Sequence, residues 1–489
     1  MKLLHLKNIL VWLLAIILIL PFFPHPAAAA SSFCAPLPAP SGSIMNVSTA
    51  TQLSNAVSSA ASGTTILLAD GTYTISSTLY IRTPNITIRS ASGNRDAVII
   101  DGNYQPGEDI YVDASNFTLA DVTVKRAKWH PIHVVSGGTN VMLYNISVID
   151  GGQQFIKVNA SSTGYGDNGT VACSYLELTP TGRSYVEANP ASADLGCYTG
   201  GVDALQVRDW TVRDSTFKGF YCTNGYLSQH AVHFWVTDRD PIIERNTFIN
   251  NARAIGLGLG TGQGSASTAN VRIYSDLANL SNLASIDSFG GVIRNNFVYS
   301  NIAQFDTGIG FESAWNSAVY HNTIFVSGGL PLDFRFSGTN TIAKNNLISG
   351  SISIRDGATP TQQTNVTGAG SGLFVNVANA DLHLLSTASS AINKGTSLAG
   401  LVASDIDGQT RDSQPDVGAD EYSTAIPTPT PTPTPIVGDI NLDHIVNSLD
   451  WSAMNAKWFT STANCDLNND GLVNSLDFSI LNTNWFKTW

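Results

Sequence analysis

The sequence predicts an all-β parallel β-helix solenoid, then a Pro/Thr linker, then a small all-α domain with a duplicated loop. Three observations predict this. A short strand–Asn/Asp–strand unit recurs as far as Asn345. An alternating Pro/Thr run begins at Pro427. Two Asp/Asn-rich segments then align 27 residues apart, from Asp439 and from Asp466.

The repeat starts at Asn116, Asn140, Asp209, Asp240, Gly291, Ala318 and Thr341. Its inner Asn or Asp falls at Asp121, Asn145, Asp214, Asn246, Asn295, Asn322 and Asn345. Spacings of 24, 27 and 23 read as single coils, 49 as two, 69 as about three, and 32 as one coil with an insertion. No such unit buries its apolar residues alone, so stacked coils must share one core. Asn at a corner tolerates left-handed backbone, and its amide can bond the Asn of the next coil. A β-sandwich would show strands at shorter, even spacing without a constant corner residue.

Before the repeat, Leu53, Ala56, Val57 and Ala60 recur at helical spacing within Thr49–Ala60. A short amphipathic helix there suits the open end of a solenoid, which otherwise exposes core and sheet edge. Thr64–Leu68 reads as a strand, with Asp70-Gly71 as a turn. Gly164–Gly201 and Gly260–Ser288 read as insertions, which gather on a solenoid's binding face. Asp381–Tyr422 reads as a tail whose acids cap the last coil or hold a calcium ion.

The chain opens with Lys2 and Lys7, an apolar run from Ile9, and Ala27–Ala30. This is the order of a secretory signal peptide, and Pro21 makes the run short for a membrane span. The expected domains are a signal peptide (1–30), a leader (31–48), the β-helix with its capping helix (49–353), a tail (354–425), the linker (426–437) and the calcium module (438–489). The expected location is secreted or attached to the cell surface. The 37 acids against 25 bases give no basic stripe for nucleic acid. Five cysteines, Cys34, Cys173, Cys197, Cys222 and Cys465, leave at least one unpaired or paired between chains, and a Cys173–Cys197 bridge would staple the stretch between them.

The calcium loops carry oxygen side chains at positions 1, 3, 5, 9 and 12: Asp439, Asn441, Asp443, Asn447 and Asp450, then Asp466, Asn468, Asp470, Asn474 and Asp477. A hard cation needs six to eight oxygens, and this spacing converges them. All-oxygen ligands without His or Cys select calcium, two ions in all, with a third possible in the β-helix. Gly471 fills the sharp-turn position of the second loop, where the first has His444. Each loop leads into an apolar-periodic helix (Leu449, Met454, Trp458; Leu476, Leu481, Trp485).

Duplicated loop–helix units after a Pro/Thr linker resemble type I dockerins. The resemblance implies binding to a cohesin module of a scaffold or surface protein. It also implies recognition through positions 10 and 11, here Ser448-Leu449 and Ser475-Leu476. The run from Gly63 to Tyr73, with the Asn-cornered coils, resembles secreted right-handed parallel β-helix proteins such as the chondroitinase B and alginate lyase group. That resemblance implies a polysaccharide lyase acting on a uronate-containing polymer, with a Lys and an Arg in the chemistry. Glycan adhesion without catalysis is a second reading, and glycoside hydrolysis, which needs paired carboxylates, a third.

Eliminating a uronate polymer requires neutralising its carboxylate, abstracting a proton and protonating the leaving oxygen. The candidate catalytic residues are Lys218, His230, His233, Arg239 and Arg253. Strand alternation sends His230 and His233 to opposite faces unless the strand bends after Gln229. A second group runs from Lys125 to His133, and a third comprises Asp306, Glu312, His321, Asp333 and Arg335. Arg245 and Arg294 precede the corner Asn in what read as equivalent coils, which marks them as structural.

Overall fold

The computed structural model describes residues 33–160, 164–192, 195–260, 272, 274–277, 279–280, 283–423, 437–440, 446–462, 464–468, 470–485 and 487. The expected signal peptide and residues 426–436 of the expected linker lie outside them. Three long parallel sheets wind into a β-helix, each coil giving one strand to each sheet. One coil runs Thr87–Ser90, Val98–Asp101, Glu108–Val112, and the next Thr118–Ala120, Thr123–Lys125, His130–Val134. These strands belong in turn to the first, second and third sheets.

Period-2 alternation sends one row of each sheet inward. In the first sheet that row is Ile88, Leu119, Leu143, Val171, Val212, Ile243, Ile293 and Val319, in register across eight strands and fully buried. Each such side chain contributes about 1.5–3 kcal/mol relative to exposure. At the N-terminal end, Thr49 caps the helix Ala50–Ser59 by accepting from the Gln52 amide. The helix packs Leu53, Ala56 and Val57 onto the same core. Ser43–Val47, ahead of the helix, is already a strand paired with Thr64–Leu68.

The corner residues divide into two adjacent positions. Asp121, Asn145, Asp214, Asn295 and Asn345 take left-handed backbone. Asn246 and Asn322 do not; they belong to a buried amide ladder one residue later. Asn246 donates to Asn296 (3.0 Å), Asn296 to Asn322 (2.9 Å), Asn322 to Asn346 (3.0 Å) and Asn346 to Asn365 (2.9 Å). In their coils the left-handed residues are Arg245 and His321. Arg294 is not equivalent to Arg245: it pairs in register with Glu244 and bonds its carboxylate at 2.6 Å. Asn322 also donates to the Ile293 and Tyr320 carbonyls and accepts from the Asn296 backbone. Asn322→Leu strands several of these groups, so a loss of about 2–4 kcal/mol is expected in urea unfolding. A loss below about 1 kcal/mol would show the ladder to be incidental.

The coil count differs from the expectation. Ile242–Glu244 pairs directly with Val292–Arg294, so the 49-residue spacing is one coil with a long insertion. Between Asn145 and Asp214 the one such corner among the described residues is Cys173, so the 69-residue spacing holds two coils. Thr170–Ala172 and Tyr175–Glu177 are coil strands, and the excursion begins after them with the helix Pro180–Ala188.

The Cys173–Cys197 bridge is not formed. Cys34 bonds Cys173, Cys197 bonds Cys222, and Cys465 is free and buried. The leader therefore lies against the corners of the coils: Cys34 and Leu37 pack on Tyr144 and Ala172, and Arg89 donates to the Pro38 carbonyl.

Coils continue to Val366–Thr367. The tail beyond runs along the flank of the solenoid. Arg411 donates to Asn295 (2.9 Å), Gly418 to the Asn345 carbonyl (2.8 Å), and Ala419 to Thr323 (2.9 Å). Phe297, Tyr299 and Leu347 point outward to form a second core with Phe374, Leu382, Val417 and Ala419. An end cap would have left those outward aromatics in water. No helix among the described residues is long and apolar enough to cross a membrane.

Candidate functional site

The chemistry collects on the outer face of the third sheet. One row crosses ten strands in register: Tyr80, Tyr111, His133, Lys157, Asp203, His233, Gly256, Gly310, Asp333 and Ser353. Its inner neighbours Ile110, Ile132, Ile156, Val202, Val232, Ile255, Ile309 and Leu332 are fully buried. The row begins aromatic, with Tyr80–Tyr111 centroids at 5.5 Å and Tyr111–His133 at 5.2 Å. It ends on the charged side chains around Asp333.

Lys157 and Asp203 form an ion pair at the centre. Trp235 Nε1 donates to Asp203 at 2.7 Å and stacks on His233, with centroids 5.3 Å apart. Burial pushes the Asp203 carboxyl up, but Lys157, His233 and Trp235 outweigh it and hold the group below its usual value. Burial likewise pulls Lys157 down, and Asp203 with Tyr198 holds it above. Neither residue stood among the sequence candidates. The available signal was a lone Lys in the apolar strand Gln154–Val158, opposite an Asp that enters 46 residues later.

Three of the five candidates share this face. His230 and His233 lie on the same side, rings 4.5 Å apart, because the regular strand starts only at Val232. The bend after Gln229 is thus the correct alternative. His233 Nε2 meets the Gly258 carbonyl at 3.0 Å, so it is the donor and Nδ1 is bare. Burial pulls His230 well below the usual histidine value, with His233 and Arg253 adding to it. His230 Nδ1 has no hydrogen-bond partner among the described residues. Arg253 reaches Asp306 at 3.0 Å. Lys218 does not join them: it sits on the second sheet, in register with Glu177 and bonded to it at 2.9 Å. Arg239 does not either; it lies on a strand of the first sheet and forks onto Asp276.

A cavity of about 220 Å³ opens beside His230 and joins the first and third candidate groups. Arg253, Arg335 and Arg355 line it with Asp306, Glu312 and Asp333. Arg355 bonds Asp333 at 2.8 Å, and Arg335 lies 3.7 Å from Glu312. Gly256 and Gly310 leave its floor open. A Cβ on Gly256 would meet the His230 ring at 2.7 Å. His321 is absent from the cavity; it is a buried corner residue bonded to the Asp416 carbonyl. His130 and His133, of the second group, stand on the same sheet several coils earlier, 5.3 Å apart. His130 is pushed down to about 4, first by burial.

In the C-terminal module, Asn447 and Asn474 open the helices Ser448–Asn455 and Ser475–Thr483 through capping boxes with Asp450 and Asp477. Val446, Met454, Cys465, Val473 and Leu481 form the buried core. Leu449 and Leu476 do not join this core. They are 60% and 58% exposed, at equivalent places beside Ser448 and Ser475. Asn441, Asp443 and His444 lie outside the described residues. In the second loop, buried Asp466 accepts from the Asp470 and Gly471 amides, and Asp477 from Leu467, Asn468 and Asn474. Asp439 and Asp450 are buried in matching positions. This buried, carboxylate-rich oxygen set fits a hard divalent cation.

Two classes of domain are thus present: a parallel β-helix, and a C-terminal module of paired loop–helix units. Residues 437–484 match the Dockerin type I domain. Dockerins of this type bind calcium. No curated protein matches the chain. Among solved structures it is similar to pectate lyase Pel9A, with 17% identity over 76% of this chain and 90% of that one (TM-score 0.48). It is also similar to an alginate lyase from Paenibacillus sp. str. FPU-7 (14% identity, 66% and 99%, TM-score 0.37). A polygalacturonase from Erwinia carotovora ssp. carotovora is a third (12% identity, 69% and 100%, TM-score 0.35).

Proposed function

We propose that this is a secreted polysaccharide-cleaving enzyme that works on an acidic glycan along the outer face of the third sheet. Its dockerin holds it, with calcium bound, to a cohesin. One observation carries the catalytic reading: a buried imidazole, His230, and three guanidiniums share one cavity, at the far end of the row that begins with Tyr80 and Tyr111. Arg253, Arg335 and Arg355 supply the planar donors that suit sugar carboxylates. Tyr80 and Tyr111 supply faces on which sugar rings stack.

The reaction is a β-elimination. His230 takes the proton alpha to the uronate carboxylate. The released electron pair forms a carbon–carbon double bond, and the bond from the neighbouring carbon to the glycosidic oxygen breaks. The imidazolium then returns its proton to that oxygen. Burial disfavours the imidazolium, so it gives the proton up readily. Lys157, Asp203 and His233 act as positioning residues that fix the adjacent strands.

Ultraviolet absorbance from unsaturated uronate, after incubation with alginate, pectate or chondroitin, tests the reading. Gly256→Ala is expected to lower that rate at least about 100-fold by displacing the imidazole, with little change in unfolding midpoint. An unaltered rate would remove His230 from the chemistry. Hydrolysis is the second reading, because Asp306, Glu312 and Asp333 line the same cavity. New reducing ends without absorbance would establish it, and binding without product would mean adhesion.

The cohesin-facing surface is assigned to Ser448, Leu449, Ser475 and Leu476. The calcium ligands are assigned to Asp439, Asn441, Asp443, Asn447 and Asp450, and to Asp466, Asn468, Asp470, Asn474 and Asp477. Exposed leucines at both equivalent positions support the surface. The buried carboxylates of the second loop support the ligands.

A further inference from the structure

The tail brings three distant segments to one point. His383 comes from the strand Asp381–Leu384, Asp407 from the turn after Asp405, and Asp420 from the segment packed on the solenoid flank. One donor atom from each lies within 4.8 Å of the others. We propose that His383, Asp407 and Asp420 form a binding site for a first-row divalent cation of the zinc class, separate from the dockerin loops and from the third-sheet cavity.

The geometry is that of a ligand set. His383 Nε2 stands 2.9 Å from Asp407 Oδ2. Two donors bound at about 2.1 Å to one ion at the tetrahedral angle lie about 3.4 Å apart, so a shift of about half an ångström would open the pair onto an ion. The other ring nitrogen is already committed: His383 Nδ1 meets Asp381 Oδ1 at 2.6 Å. A carboxylate on the far nitrogen is what fixes the tautomer and aim of a metal-bound histidine. Phe297 packs edge-on against the ring at 5.0 Å and holds its plane. Asp420 is buried, and the Leu384 amide at 2.7 Å fixes its carboxylate.

Charge points the same way. Asp381, Asp407 and Asp420 all face one imidazole. The buried cation of this tail, Arg411, is spent on Glu421 at 3.0 Å and on three backbone carbonyls. Access exists, since Asp381, His383 and Asp407 line a cavity of about 290 Å³ with Asp214, Arg245 and Phe297. The nitrogen donor separates this site from the dockerin loops, whose ligands are all oxygen. An ion here ties the tail's strand, turn and last segment together where they lie on the coils.

The test uses the full chain with calcium in excess, so that the dockerin loops are filled. Cobalt(II) is titrated and its visible absorption followed, and zinc is then added. The expected result is one cobalt with nitrogen–oxygen ligand bands that zinc erases. The signal is lost in His383→Gln and at least 10-fold weaker in affinity in Asp407→Asn. Zinc should also raise the thermal midpoint of the unaltered chain and not that of His383→Gln. Asp407 is half exposed, so its variant reads the site even if the histidine variant fails to fold. Absence of uptake, or identical titrations for the three proteins, would overturn the site.

Discussion

Lys157→Met is expected to destabilise the solenoid by about 3–5 kcal/mol, because it leaves Asp203 buried without its cation. Asp203 is 2% exposed and Lys157 6%, so water cannot take over the pairing. The double variant Lys157→Met/Asp203→Leu should recover most of the loss, since replacing both charges removes the desolvation cost as well. Urea unfolding measures both, and a loss below about 1 kcal/mol in the single variant would show the pair to be dispensable.

The pH dependence has a definite sign. Asp203 is held below 3.8 and Lys157 above 10.5 in the folded state. The pair's contribution is therefore fully present between those unfolded values. It is lost as pH falls through the lowered carboxyl value or rises through the raised amine value. In Lys157→Met the cation is gone and burial raises Asp203. The folded carboxyl then holds its proton more tightly than the unfolded one, so the deficit against wild type grows as pH rises from mildly acid to neutral. A deficit independent of pH would mean that Asp203 remains solvated.

Removing calcium is expected to unfold the C-terminal module while the solenoid stays intact. The module's core is small, centred on Val446, Met454, Cys465, Val473 and Leu481. A domain of this size rarely gathers more than about 3–5 kcal/mol from its core. A loop holding calcium at about 100 times its dissociation constant adds about 2.7 kcal/mol, so two loops match or exceed the core. Limited proteolysis of the full chain in excess chelator should cut within 437–487 at least about 10-fold faster than in calcium. Asp470→Ala should weaken the second loop alone. Equal resistance with and without chelator would sink the assignment.

Local period carried most of what was legible. The coils announced themselves because each repeats an inward apolar pattern, and the dockerin because its oxygen side chains are spaced within twelve positions. What failed was long-range. A spacing of 69 residues does not say how much leaves the solenoid as the helix Pro180–Ala188 and how much forms coils. Asn246 and Asn322 looked like Asp214 and Asn295 because ladder and left-handed positions are adjacent and both favour Asn. Lys157 and Asp203 meet only through register, and His230 joins Asp333 only because Gly256 and Gly310 leave space between them. The tail's place on the flank depended on Phe297, Tyr299 and Leu347 facing outward, which alternation alone did not distinguish from core.

The Cys34–Cys173 bond carries a consequence for biogenesis. Its two halves stand 139 residues apart, whereas Cys197 and Cys222 are separated by 25. A chain threaded outward from its N-terminus presents Cys34 long before its mate emerges. In that interval the thiol is open to mispairing, and Cys197 and Cys222 arrive soon after Cys173 as competitors. Correct oxidation therefore depends on the early coils stacking promptly enough to bring Cys173 beside the waiting leader.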